Sequence, residues 1–595
     1  MGSRGDEGEK SSTEGLGLDD GRGVGRAAPD LILPEGNVVK FFDHWVERAP
    51  DRVAIAFPSA PGGPGRARPE EVRHELVTFA GLDRDASRVA WGLRERGVAR
   101  GDRVLLMVPM SRPLYAALLG VMKLGACAVF VDPWVPLPQI ARAVELTRPR
   151  AFVGVPKAHL LRAGYAAVRD VPVKLVACSA RPWLDRALGV HLEDLLARPG
   201  PGGRDDFPLV PCEQGEPSLI TFTTGSTGTP KGANRTHRFL NAQGDVLKRH
   251  LLRAPGDVDM PALPVFVLNN LAAGVPSVLP LVDFRRIASV DPAVVVQQIE
   301  DLRVTTIGGS PSYLAPIARH VLARGRPLAR VRAVVAGGAP VPPGLLDLLR
   351  RACPNARGRI EVLYGSTEAE PVATIEADEV LGETAARTAR GEGTCVGRPS
   401  DEVEVRLVVP TDGPWTLGPR GWRDVEVPVG VPGEVLVTGA HVQRDYVGDR
   451  SAFARNKVVE PDTGRVWHRM GDVAARDERG RLWLAGRVGE DVRDLRGRTV
   501  WPLHVEGLVD ALEGVARAAL VAVDGLPVLA LVPAPEVAHD PAAEAALRTR
   551  VRRALRAADL ALEDVRLVDA VPLDPRHNAK LDRPRLVEAL RGGHG

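Results

Sequence analysis

The sequence predicts an α/β protein: a large N-terminal domain of layered sheets and helices with a β-rich subdomain, then a small mobile C-terminal α+β domain. Three observations predict it. At 595 residues the chain is too long for one hydrophobic core. Short apolar runs alternate with helical patterns to about residue 380, as where parallel sheets carry helices on their faces. From 396 to 483 the pattern changes. Runs such as 403–409 and 433–439 alternate like antiparallel strands between Gly and Pro, and a compact mixed unit the size of a small domain follows.

Taken in order, Val38, Val39, Phe42, Trp45 and Val46 fall at helical spacing before Pro50. Residues 53–57 read as a strand, and the Pro- and Gly-rich stretch 58–69 as a loop. A strand-like 76–79 precedes a helix with Ala86, Val89, Ala90 and Leu93 on one face. A buried-strand run covers 103–109, and a helix over 114–124 leads into the apolar 126–131. Past the polar, Gly-containing 486–497, a helix is expected near 503–512, strands near 519–523 and 528–532, and a helix near 542–557. This divides the chain into a disordered tail (1–29), an N-terminal domain (30–486) and a C-terminal domain (487–595).

The bulk chemistry narrows the function. A net charge of +3 offers no electrostatic case for nucleic acid as the main partner. The tail has no apolar core of a secretory signal. Cys127, Cys178, Cys212, Cys353 and Cys395 are odd in number and scattered, against a disulfide framework or zinc site and in keeping with a reducing cytoplasm. Residues 260–282 carry no charged side chain and are long enough to cross a bilayer, yet Pro261, Pro264, Pro276 and Pro280 interrupt them, so a buried, irregular, pocket-lining segment is expected instead.

The sharpest local feature is Thr223-Thr-Gly-Ser-Thr-Gly-Thr-Pro-Lys-Gly232 directly after an apolar strand. Gly225 and Gly228 let backbone amides turn toward an anion, while Thr223, Thr224, Ser226, Thr227 and Thr229 add hydroxyls and Lys231 a positive charge. A Walker A loop has Lys followed by Ser or Thr, and here Gly232 follows, so this is a different phosphate loop. The run resembles the signature of the adenylate-forming superfamily, which holds acyl-CoA synthetases, peptide-synthetase adenylation domains and luciferases. The resemblance spans residues 37 to 592.

Further motifs follow in the superfamily's order. Ala336-Gly-Gly-Ala-Pro340 resembles the segment packing on adenine, which implies contacts from Gly337, Gly338 and Ala339. Tyr364-Gly-Ser-Thr-Glu368 resembles the motif whose Tyr stacks on adenine, whose Thr contacts phosphate and whose Glu reaches Mg²⁺. Gly365, Ser366 and Thr367 then belong to the nucleotide site, and Glu368 with Thr223 to the metal. Asp472 and Arg487 match ribose contacts. Lys580 matches the C-terminal Lys that bridges the substrate carboxylate and the ATP α-phosphate, where a cation offsets the repulsion of two anions.

The sequence also departs from the superfamily. Gly489 stands where members usually carry Asp or Lys, which leaves domain rotation open and loosens control over it. Many acyl-activating members have an aromatic residue or His in the segment that reads 263–270 here. Phe266, Asn269 and Asn270, with Ser310, are expected to shape the substrate pocket. Arg576-His-Asn-Ala-Lys580, Leu263-Pro-Val-Phe266 and the run 364–372 are similar to β-lactone synthetases of bacterial olefin biosynthesis, in which the substrate's own β-hydroxyl attacks the acyl-adenylate. Gly497 fits the thiol tunnel of CoA ligases, so CoA stays open as acceptor. The resemblance implies ATP and Mg²⁺, with a small-molecule carboxylic acid and pathway enzymes as partners, and no integral membrane segment is expected. An amino-acid-activating domain acting in trans and a non-catalytic nucleotide-binding protein are the competing readings.

Overall fold

The computed structural model describes residues 36–592 except 132–134, 181, 225–229, 252, 253, 255 and 574–579. The expected disordered tail, the centre of the phosphate loop and most of the run before Lys580 therefore lie outside the described residues.

Two sheets form the N-terminal part. One has the spatial order Val190–His191, Val173–Val176, Ala151–Gly154, Arg103–Met107, Cys127–Val131, Pro217–Thr224 and Pro230–Thr236. Its neighbours are parallel except the last pair, an antiparallel hairpin whose strands flank the Gly- and Thr-rich run in the sequence. The other sheet has a parallel centre, running Ser277–Val278, Asp259–Pro261, Thr306–Gly309, Ala333–Gly337 and Ile360–Ser366. It then turns antiparallel at Ala369–Glu376 and continues through Thr394–Pro399, Leu482–Arg487, Val466–Arg476, Gly433–Gly439 and Val403–Val408. The β-rich stretch is thus an extension of the large sheet.

Two helices fill the space between the sheets. Phe79–Glu95 begins where the Thr78 hydroxyl accepts from the Gly81 amide, and it buries Phe79, Leu82, Ala86, Val89 and Leu93. Arg112–Lys123 packs beside it through small residues. A methyl group on Gly120 would sit 2.6 Å from the Ala86 carbonyl oxygen, so only glycine admits this approach. The core joins these faces to Ala54 and Ile55 of one sheet and Val104, Leu106 and Ala128 of the other.

The C-terminal unit pairs Val515–Val523 with Leu526–Pro533 antiparallel and Asp564–Leu567 parallel beyond. Pro502–Asp510 and Pro541–Ala557 cover one face, burying Val505, Val509, Leu547, Val551 and Leu555, and Arg583–Gly592 covers the other with Leu586 and Leu590.

One expectation is corrected. Residues 260–282 are regular: a strand, the helix Pro264–Ala273 and a second strand. Pro264 stands in the first helical turn, where no amide donor is needed, and Gly274 closes the helix at φ 69°. Among the described residues no helix is long and apolar enough to cross a membrane. The five cysteines are free, four of them buried and Cys178 exposed.

Candidate active site

A cleft of about 3120 Å³ lies between the two N-terminal sheets and the C-terminal unit. All three contribute to its walls. Lys231, Ser310, Gly338, Ala339, Asp472, Arg487 and every residue from Tyr364 to Glu368 line it from one side, and Lys580 from the other. The strand Ile360–Ser366 delivers Tyr364 at the point where the large sheet changes from parallel to antiparallel.

At one end Asp472 and Arg487 face each other as register partners on neighbouring antiparallel strands. The Tyr364 hydroxyl donates to Asp472 Oδ2 at 2.8 Å, and Arg487 Nη1 lies 3.4 Å from Oδ1. Burial and then the Asp472 charge push the Tyr364 phenol well above its usual pKa, so it stays a donor. Asp472 raises the Arg487 pKa in turn. Gly471 sits at φ 70°, and a side chain there would meet Arg487 Nη2 at 3.0 Å.

Toward the hairpin tip, Lys231 is buried, with Nζ donating to Asn456 Oδ1 at 2.9 Å. Burial lowers its pKa, against the pull of Glu368. Glu368 is gripped from one direction: its backbone oxygen accepts from the Gln443 amide at 2.7 Å and its Oε1 from the Tyr446 hydroxyl at 3.2 Å. Among the described residues no cluster of three or more His, Cys, Asp or Glu stands ready to hold a metal. A single half-buried carboxylate in a cleft wall fits Mg²⁺ that arrives with phosphates and keeps several waters. Thr223 and Thr224 lie on the strand Pro217–Thr224, and their side chains are outside the described residues, as are Gly225, Ser226, Thr227 and Gly228.

The wall facing Lys580 carries Glu370. Burial raises the pKa of this carboxyl, opposed by the charges of Arg235 and Lys580. Arg235 is itself buried and donates to the Thr367 oxygen at 2.9 Å. The remaining reach of the cleft is apolar, with Leu106, Met110, Leu114, Phe130, Leu279 and Phe284 among its walls.

The substrate-pocket expectations need correction. Leu263, Val265 and Leu268 line the cleft, whereas Phe266 lies beneath it, packed with Leu247, Leu251, Val335 and Leu363. Asn270 is fully buried and donates to Asp259 Oδ2 at 2.7 Å and Ser277 Oγ at 2.9 Å, tying two strands together. Asn269 faces a separate cavity of about 70 Å³. A helix places only one face on a cleft, and the register of Pro264–Ala273 gives that face to other residues. Gly337 is likewise one position behind the wall, where a side chain would meet the Leu363 oxygen at 3.2 Å. Sequence reasoning missed Tyr446, Asn456, Lys457, Glu370 and Arg235. The scarcity of Lys in this Arg-rich chain is the one signal that singles out Lys457.

Residues 42–447 match the AMP-binding enzyme family. The chain is 34% identical over 561 residues to an olefin β-lactone synthetase of Stenotrophomonas maltophilia, covering 93% of this chain and 97% of that one. It is 32% identical over 564 residues to an olefin β-lactone synthetase of Xanthomonas campestris pv. campestris, again covering 93% and 97%. The solved structure of the amide bond synthetase McbA from Marinactinospora thermotolerans superposes with a TM-score of 0.68 at 25% identity, over 87% of this chain and 95% of that one.

Proposed function

The chain belongs to the AMP-binding enzyme family, and from that premise we propose that it activates an aliphatic β-hydroxy acid as its acyl-adenylate and then closes it to a β-lactone. The family activates carboxylic acids through acyl-AMP. The observation that carries the reading is the cleft whose walls include Lys580 of the C-terminal unit together with Tyr364, Glu368 and Asp472.

In the first half-reaction Asp472 accepts from the ribose hydroxyls while Tyr364 and Arg487 hold its carboxylate in place. Gly338 and Ala339 offer backbone against the base. Lys231 and the 223–229 loop receive the β- and γ-phosphates. Glu368 is the ligand for Mg²⁺, which when bound neutralises charge on the phosphates. Lys580 lies between the two reacting anions, where its charge lowers their repulsion and stabilises the charge that builds on the α-phosphate. A substrate carboxylate oxygen bonds to the α-phosphorus, and the bond to the β-phosphate oxygen breaks with release of pyrophosphate.

In the second half-reaction the substrate's β-hydroxyl oxygen attacks the acyl carbonyl, AMP departs with the bonding pair, and the hydroxyl proton is lost to water. Attack within one molecule carries an effective-molarity advantage of about 10⁵ M or more in well-oriented cases, so no external thiol is required. The apolar reach of the cleft suits an alkyl chain.

The test is product analysis with MgATP and a long-chain β-hydroxy acid, with and without CoA. β-Lactone and AMP without CoA support the proposal. Acyl-CoA formed only when CoA is added makes the protein a CoA ligase, and absence of AMP with any acid overturns catalysis by this site.

A further inference from the structure

Behind the phosphate end of the cleft sits a lysine that the mechanism above does not use. Lys457 opens the short strand Lys457–Val459 and is 3% exposed. Its amine donates to the Gln443 carbonyl oxygen and lies 5.2 Å from the centre of the Tyr446 ring. Among the described residues no carboxylate pairs with it directly, and the charges of Glu368 and Asp445 reach it only from farther off. Burying an ammonium without a directly paired carboxylate is costly, and a lysine serving only as packing would be better replaced by an apolar side chain.

What the amine holds is informative. Gln443 donates its amide to the Glu368 carbonyl at 2.7 Å, and Tyr446 donates its hydroxyl to Glu368 Oε1 at 3.2 Å. Both arms that grip Glu368 come from the segment 443–446, and both end on Lys457. The strand carrying Lys457 is fixed in turn by its pairing with Val466–Arg476, which sets Lys457 opposite His468. The neighbouring Asn456 accepts from Lys231. One short stretch therefore anchors both the phosphate-end lysine and the Glu368 carboxylate.

We propose that Lys457 is a positioning residue: by holding Gln443 and Tyr446 from beneath, it fixes the orientation in which Glu368 receives a divalent cation. The proposal rests on Glu368 as the metal ligand. Outer residues that orient a metal ligand typically change metal affinity by about 10–100-fold when removed.

The experiment titrates Mn²⁺ into full-length protein with ATP and no acid, reading free Mn²⁺ by electron paramagnetic resonance, so that no turnover is needed. Wild type, K457M, K457R, Y446F, the K457M/Y446F double variant and E368Q are compared. K457M and Y446F are each expected to weaken Mn²⁺ binding about tenfold, and the double variant by no more than about the larger single loss, because both act through one contact. K457R is expected to recover most of the affinity, and the Mg²⁺ concentration for half-maximal ATP–pyrophosphate exchange shifts in parallel. Mn²⁺ affinity within about twofold of wild type in K457M, or losses that simply add in the double variant, would overturn the proposal. Y446F leaves the amine in place, so the clamp is tested even where K457M does not fold. E368Q separates the two readings: wild-type affinity in E368Q removes Glu368 as the ligand, whereas loss in E368Q without loss in K457M and Y446F removes only the role of Lys457.

Discussion

Asp472 shows how much one side chain coordinates. Its two oxygens are occupied by Tyr364 and Arg487, so its position is set before any nucleotide arrives. Asp472→Asn keeps the shape and loses the charge, and it is expected to raise the KM for ATP about tenfold, the order of one charge-assisted hydrogen bond, in initial-rate measurements. Lys580→Met should lower ATP–pyrophosphate exchange by about 10²–10³-fold, the scale seen when one preorganised transition-state contact is removed. Lys457 carries a pH prediction. Burial pulls its pKa down to about 7 from the ordinary 10.5. The folded state therefore binds fewer protons than the unfolded state between those values, and this group's contribution to stability rises with pH through the window and is lost as pH falls through 7. In urea unfolding, the stability of wild type relative to K457M is expected to be greater at pH 9.5 than at pH 7, and an equal difference at both would contradict a depressed folded pKa.

At the scale of elements, the antiparallel half of the large sheet keeps Asp472 and Arg487 in register. Arg469, three residues before Asp472 on the strand Val466–Arg476, is buried against Glu434 of the adjacent strand, with contacts of 2.8 and 2.9 Å. It also donates to the Gly413 and Arg455 carbonyls. Leaving Glu434 without this partner strands a buried carboxylate. Arg469→Met is therefore expected to cost about 3–5 kcal/mol, read as a lowered urea midpoint, while Glu434→Gln with Arg469→Met together should recover part of it. The alternation of 433–439 was readable from sequence because one face is apolar, as was the amphipathic helix ending near Leu93. The helix Pro264–Ala273 was not. It is apolar nearly all round, so periodicity marks no face, and its one proline stands in the first turn, where helices tolerate it.

For the whole molecule, the arrangement of the C-terminal unit decides whether Lys580 reaches the cleft. The helix Pro502–Asp510 lies against the strand Leu482–Arg487 of the large sheet and against the short helix Ala385–Thr388, where a side chain on Gly507 would come within 2.7 Å of Thr388 Cγ2 and 3.1 Å of the Thr388 oxygen. Gly507→Val is expected to lower ATP–pyrophosphate exchange about tenfold or more by displacing the unit, since positioning errors near 1 Å carry about 100-fold rate costs. The unit's own unfolding should change little, because its core of Val505, Val509 and Leu547 is untouched. Exchange at the wild-type rate would mean that the contact does not set the arrangement.

The sequence by itself determined the α/β class and the family, because the motifs that carry the family resemblance are contiguous runs legible from residue type and order. Tertiary structure alone decided that Tyr446 and Lys457 stand behind Glu368, that Asn270 ties strands instead of lining the pocket, and that Glu370 shares a wall with Arg235. Those relations run through strand register and helix rotation, and neither leaves a mark in the local pattern of the chain.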